Sequence, residues 1–151
     1  MTIRCEIVTQ ERLVYEKDVD SINMPGIEGR MGILPNHSPL LTVLDFGEVI
    51  TRTNGEEEYF AIGGGVAEVQ PDKVIILADS AEHADEIDEE RASEARGRAE
   101  KAMEEGVPGD PVAYQMIEAA LRRAQLRVDV SRRRKNRRNP AIPDLSNTNR
   151  E

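Results

Sequence analysis

Tryptophan is absent from this chain and its aromatics amount to two Phe and three Tyr, so any core must be built from aliphatic side chains. The one cysteine, Cys5, has no partner for an internal disulfide, which excludes a disulfide-stapled scaffold and fits a reducing compartment. In the alternating run Ile3-Arg4-Cys5-Glu6-Ile7 it reads as a small apolar residue turned inward. No apolar run approaches the roughly 20 residues of a membrane span, and the start MTIRCEIVTQER lacks the apolar stretch of a secretion signal. The expected protein is soluble, or meets a membrane only through partners. His37 and His83 are the only histidines, and neither has a cysteine-histidine ligand spacing around it, so no metal site is expected. No serine or cysteine lies in a nucleophile motif, which argues against an independent hydrolase.

What is present is enough for one modest core plus an appendage, at 151 residues. The formal net charge of -9 conceals an asymmetry. Acidic residues crowd between Glu82 and Glu105, whereas Arg132-Arg133-Arg134-Lys135-Asn136-Arg137-Arg138 is wholly basic or polar. Opposed charge within one chain suggests an electrostatic partner for each end. The basic run contains no aromatic residue on which a base could stack, so no nucleic-acid partner is expected.

The first half reads as strands. Ile3/Cys5/Ile7, Leu13/Tyr15, Val19 to Met24, Leu40 to Leu44, Glu48 to Thr53, Glu58 to Ile62, Val66 to Val69 and Val74 to Ala78 are short β-branched or alternating runs. Turn signals separate them, Asn54-Gly55 being the strongest because a type I′ turn needs positive φ at both central positions. Short strands at this spacing predict a sandwich or flattened barrel. Pro25 to Leu41, PGIEGRMGILPNHSPLL, superficially resembles a phosphate loop, but no GK[ST] ending follows its glycines and no helix opens after them. An array of turns between strands explains the stretch better. Gly63-Gly64-Gly65 likewise reads as a bulge or a close backbone approach, since Val66 resumes the strand.

Near Asp79 the period changes from two toward 3.6. From Asp88, the residues Ala92, Ala95, Ala99, Ala102 and Met103 recur at three- and four-residue steps, and Gly106, Pro108 and Gly109 end the pattern. Asp110-Pro111 offers an N-cap and a first-turn proline, and Met116, Ala120, Ala124 and Val128 continue on one face with Ile117 and Leu121 beside them. Two helices joined by a short loop should lie antiparallel. Alanine stripes bury little area per residue, so the hairpin should be held weakly enough to detach.

The start of this hairpin carries the sharpest chemistry. Asp88 and Arg91 stand one turn apart on the first helix, and Arg123 and Arg127 share a face of the second. In an antiparallel pair these groups converge, a combination suited to the phosphates and ribose or base of a nucleotide. A structural reading stands beside it, in which Asp88 caps the helix, Arg91 pairs with Asp88 and Glu118 pairs with Arg122.

GRMGILPNHSPLL, GGGVAEVQPDKVIILAD and IDEERASEA, in this order and spacing, closely resemble the epsilon subunit of bacterial F-type ATP synthases over residues 3 to 130. The resemblance implies an α+β fold: an N-terminal β-sandwich of about ten strands at 1–84, a C-terminal antiparallel two-helix hairpin at 85–131, and here a basic tail at 132–151, whose composition reads as disordered. It implies a non-catalytic part of the central rotor, which is not an enzyme by itself and requires no cofactor. The sandwich would dock on the gamma subunit and the c-ring through Glu28, Gly29, Arg30, Met31 and His37. The hairpin would fold on the sandwich or extend into the catalytic alpha/beta head and block ATP hydrolysis. Ile87-Asp88-Glu89-Glu90-Arg91-Ala92 matches the family's [I/L]DxxRA motif, which with Glu82, Arg123 and Arg127 implies a regulatory ATP site. The implied location is the cytoplasmic face of the bacterial plasma membrane, as a peripheral subunit. The alternative is a purely structural hairpin with a basic tail making an electrostatic contact to membrane or nucleic acid.

Overall fold

A computed structural model describes residues 1–106 and 109–138. Pro108, expected at the helix-ending loop, and Asn139-Pro140-Ala141-Ile142-Pro143-Asp144 of the expected tail lie outside the described residues.

The N-terminal unit contains eight strands rather than about ten. They are β1 (Ile3–Val8), β2 (Leu13–Val19), β3 (Ser21–Gly26), β4 (Gly29–Ile33), β5 (Leu40–Thr53), β6 (Glu56–Val69), β7 (Lys73–Ala78) and β8 (Ala81–His83). Hydrogen-bonded neighbours follow the order β2-β1-β7-β6-β5-β3-β4, and β8 pairs with β6 beyond the end of β7. Of the eight runs read from the sequence, Leu40 to Leu44 and Glu48 to Thr53 belong to one strand of 14 residues, and Glu58 to Ile62 and Val66 to Val69 to another, while β4 and β8 are not among those runs. These two form a hairpin in one register from Leu40↔Val69 to Thr53↔Glu56, interrupted only at Asp45 and Gly64. Its turn holds Asn54 at φ 52° and Gly55 at φ 81°, the geometry that the dipeptide predicts.

Along β1 burial alternates, with Ile3, Cys5 and Ile7 inward. They join Val19, Ile22, Met24, Ile33, Val49, Phe60, Ile62, Val69, Val74 and Ile76 in a core that is aliphatic apart from Phe60, its largest fully buried side chain. Phe60 meets Tyr15 edge-on at 4.7 Å and His83 at 4.9 Å. Burial pushes the Cys5 thiol up to about 12, which makes it an inert core residue.

The triple glycine is a close backbone approach. Gly63 N donates to Ser80 O and Asp79 N donates to Gly64 O, both at 2.9 Å, where β6 passes from its pairing with β7 to its pairing with β8. Within the stretch expected as an array of turns, turns do occur at 27–28 and 35–36, but residues 25–33 also complete a β3–β4 hairpin, in which Ile22↔Ile33 and Met24↔Met31 pair and both isoleucines are buried.

A 3₁₀ turn over Ala84–Glu86 leads from β8 into α1 (Glu89–Glu105) and α2 (Pro111–Arg138). Asp88 caps α1, and Gly106 closes it at φ 67°. Asp110 Oδ1 accepts from the backbone N of Val112 and Ala113, each at 3.1 Å, so the expected cap of α2 is in place. The face of α2 differs from the expected one, for Met116 is 70% exposed and Ala120 is also exposed, while Ala124, Val128 and Val130 are buried. The residues of α2 buried against the sandwich, Val128 and Val130, lie in its later turns, while Ile117 and Ala120 face α1. The boundary expected at residue 132 falls inside α2, which continues through Arg138.

Candidate functional site

The hairpin docks through a second, smaller core. Tyr59 and Ala61 of β6, Ala84, Ile87, Ala92 of α1, and Val128 and Val130 of α2 are buried together. Ile87 and Ala92 of the matched motif are therefore packing residues in this arrangement, 7% and 0% exposed. Asp88 Oδ1 accepts from Arg91 N at 3.2 Å, a helix cap made by the side chain. Arg91 itself is exposed, and its contact with Asp88 runs through the main chain instead of the expected ion pair.

Glu82, Arg123 and Arg127 do come together. Arg127 donates from Nε and Nη2 to the two carboxylate oxygens of Glu82, at 2.7 and 3.2 Å, the planar fork that suits a carboxylate or phosphate. Both arginines line a cavity of about 530 Å³ closed by Thr9, Arg12, Asp79 and Ser80. They also line a second cleft, of about 400 Å³, between the helices, walled by Ala95, Ala99, Ala102, Ile117 and Ala120 and reached by Arg98. Arg98 is the cation that sequence reasoning missed; its spacing, seven residues after Arg91, was the available signal. Arg91 lines neither space, and Arg98 takes the third place beside Arg123 and Arg127. The other expected pair is also replaced, since Arg122 reaches Asp45 at 3.3 Å and stacks over Phe46 at 4.8 Å instead of meeting Glu118.

Of the expected docking residues, Glu28 and Gly29 form the exposed tip of the β3–β4 hairpin. Met31 turns inward onto the core. Arg30 is tied down, donating to Asn23 Oδ1 at 2.7 Å and to the Glu48 carbonyl oxygen at 2.8 Å. The His37 ring nitrogen Nδ1 lies 2.7 Å from the Ser38 carbonyl. No group of His, Cys, Asp and Glu that could hold a metal ion occurs among the described residues.

Two family models meet end to end along the chain. The ATP synthase delta/epsilon chain β-sandwich domain matches residues 2–84, and its long α-helix domain matches residues 85–132. The chain belongs to the ATP synthase delta/epsilon chain family. It is 51% identical over 137 residues to an ATP synthase epsilon chain of Herpetosiphon aurantiacus, covering 91% of this chain and 99% of that one. With the epsilon chain of Dehalococcoides mccartyi it shares 47% over 141 residues, 93% of this chain and 98% of that one. Among solved structures, a chain of the Euglena gracilis mitochondrial ATP synthase, a structure containing OSCP, F1 and the c-ring, superposes with a TM-score of 0.70 at 24% identity. That match covers 82% of this chain and 78% of the other, and shows the fold.

The electrostatics of this family member's seam are pH-sensitive. Arg12 grips Glu86 with two hydrogen bonds, at 3.0 and 2.7 Å, and holds its carboxyl below the ordinary value of 4.5. Lys135 and then Arg132 do the same to Glu89. A depressed folded value means stability that is present above the ordinary value and lost as pH falls through the depressed one. Glu48 works in the opposite sense, because burial raises its carboxyl against the pull of Arg133 and Arg30, so its ionisation costs stability as pH rises. Acidification below 4.5 is therefore expected to loosen the 84–89 link before the sandwich core. Amide exchange of Ile87 and Ala92, compared with core amides of β6, would show this; equal loss at both places would overturn it.

Proposed function

We propose that this chain is the epsilon subunit of an F-type ATP synthase central stalk, non-catalytic by itself, and that its hairpin regulates ATP hydrolysis. The sandwich would dock on the gamma subunit and the c-ring and so transmit proton-driven rotation. The exposed β3–β4 tip at Glu28 and Gly29 and the exposed apolar residues Ile27, Leu34, Leu41 and Val43 support that docking. No helix among the described residues is long and apolar enough to cross a membrane, so membrane association on the cytoplasmic face would come through the c-ring.

The observation that carries the regulatory reading is the separation of the two cores: one closes the sandwich, and a smaller one, built on alanines and valines, holds the hairpin against it. An element held by so small a seam can leave without unfolding its support. Released, the helices would extend along gamma into the alpha/beta head and block hydrolysis. Docked, they would offer a regulatory ATP the cations Arg123, Arg127 and Arg98 beside an apolar cleft. ATP would first have to displace Glu82 from Arg127, so binding should be weaker than at a site with free arginines. By binding only the docked form, ATP would stabilise it by RT ln(1 + [L]/Kd).

Calorimetric titration of the whole chain with ATP tests this. Saturable binding at or below millimolar ATP is expected, lost in Arg123→Ala and tightened in Glu82→Gln, with Arg91→Ala testing whether the motif arginine swings in. No heat and no amide shift at millimolar ATP would remove ATP from the regulatory reading.

A further inference from the structure

The sandwich and the hairpin are joined covalently only by the 84–89 link between β8 and α1, and the last turns of α2 lie across it. Arg132 Nε is 3.1 Å from one oxygen of Glu89 and Lys135 Nζ is 2.5 Å from the other. Arg134 pairs with Asp85 of the 3₁₀ turn. Arg133 Nη1 donates to Oε1 of Glu48 at 2.6 Å, a carboxylate on β5 whose side chain is only 8% exposed. Four consecutive cations thus meet three carboxylates on three different elements: the sandwich, the link and the start of α1.

We infer that the basic end of α2, Arg132 to Lys135, is an electrostatic clasp that closes over the link and sets how readily the hairpin leaves the sandwich. Position argues for it, because the hairpin cannot swing about the 84–89 link while the end of its own second helix is pinned to both sides of that link. Chemistry argues for reversibility. A buried carboxylate stripped of its partner is ordinarily prohibitive. Glu48, however, keeps the Arg30 guanidinium beside it, since Arg30 donates to the Glu48 main-chain carbonyl at 2.8 Å and pulls on its carboxylate. Release of Arg133 therefore leaves Glu48 with a cation in place. The Glu89 pairs are more exposed and would be screened by salt.

The inference rests on the hairpin being detachable, as proposed above, and not on ATP binding. It is tested with the full chain carrying Val128→Cys. Val128 is 0% exposed within the docking seam, and the native Cys5 is 0% exposed within the sandwich core, so thiol labelling reads hairpin release at the first and sandwich opening at the second. Arg133→Gln and Glu89→Gln alter surface-reachable partners and are each expected to speed labelling of the introduced seam thiol roughly two- to tenfold, with Cys5 unchanged. Raising sodium chloride should accelerate seam labelling in the Val128→Cys parent and much less when both glutamine substitutions are present. Glu89→Lys should open the clasp further, and Arg132→Glu with Lys135→Glu should restore slow labelling in that background. Seam labelling that is fast but indifferent to these substitutions and to salt would overturn the clasp alone. Labelling of both thiols at one rate would overturn the clasp and the detachable hairpin together.

Discussion

Valine in place of Gly65 is expected to leave no folded sandwich at physiological temperature. Gly65 sits at φ +144° where β5, β6 and β7 meet, pairing with Leu44 on one side and Ala78 on the other. A Cβ there would overlap the Leu77 carbonyl oxygen and lie 2.8 Å from Ala78 Cα, and both atoms are backbone that no rotamer change can move. Strain in φ adds to the overlap, so the loss should exceed about 4 kcal/mol, a large part of a small domain's total stability. Gly97 is the control. It lies in α1 with nothing within 4 Å of an added Cβ, and Gly97→Ala should stabilise the helix by up to about 1 kcal/mol. Thermal unfolding of the two variants measures both; a Gly65→Val protein that melts like the parent would refute the packing account of the triple glycine.

The second large effect belongs to Ala92→Asp. Ala92 is 0% exposed in the seam with Tyr59, Ala61 and Val128, and no residue of that cluster other than Tyr59 offers a polar atom on its side chain. The Tyr59 hydroxyl already donates to Glu57 at 2.7 Å. A carboxylate buried there without a partner should cost about 3 kcal/mol or more of docking free energy. The expected product is a folded sandwich carrying a detached hairpin. Amide spectra should keep the β-sheet shifts of β1 and β7 while those of Tyr59, Ala61 and the 84–87 turn move. Collapse of the sandwich in the same variant would show that the two cores fold as one unit.

Local chemistry made much of this architecture readable. The alternation of Ile3, Cys5 and Ile7, the Asn54-Gly55 turn, and the caps Asp88 and Asp110 each act within a few residues, and each is where the pattern placed it. The misses are long-range. Gly47 and the triple glycine interrupt the apolar pattern of β5 and β6 and divide on paper what the ladder joins, because cross-strand bonding ignores side-chain type. β8 has only three residues, and its place is fixed by its pairing with β6. Glu48 is the first residue of a strand run in the sequence, with nothing nearby to mark its partner, Arg133, 85 residues away. For the same reason the basic run reads as solvated, since the carboxylates it meets lie 43 to 85 positions earlier in the chain and none is visible as a local pair. At the candidate site, helix-face geometry brought Arg123 and Arg127 together but could not place Glu82 against Arg127 or decide between Arg91 and Arg98.

The parallel pairing of β1 with β7, Arg4↔Lys73 through Val8↔Leu77, also governs the order in which this molecule can assemble. The first strand can pair early with β2, but its other edge must stay open until residues 73–78 arrive. Contacts so distant in sequence are slow to form, while the helical hairpin is made of local ones. Every strand of the sheet, ending with β8 at His83, precedes the helices in the chain, and the seam they pack on needs Tyr59 and Ala61 of β6 in place. Docking of the hairpin therefore depends on a sheet that has already formed, and is expected to be the last step of assembly.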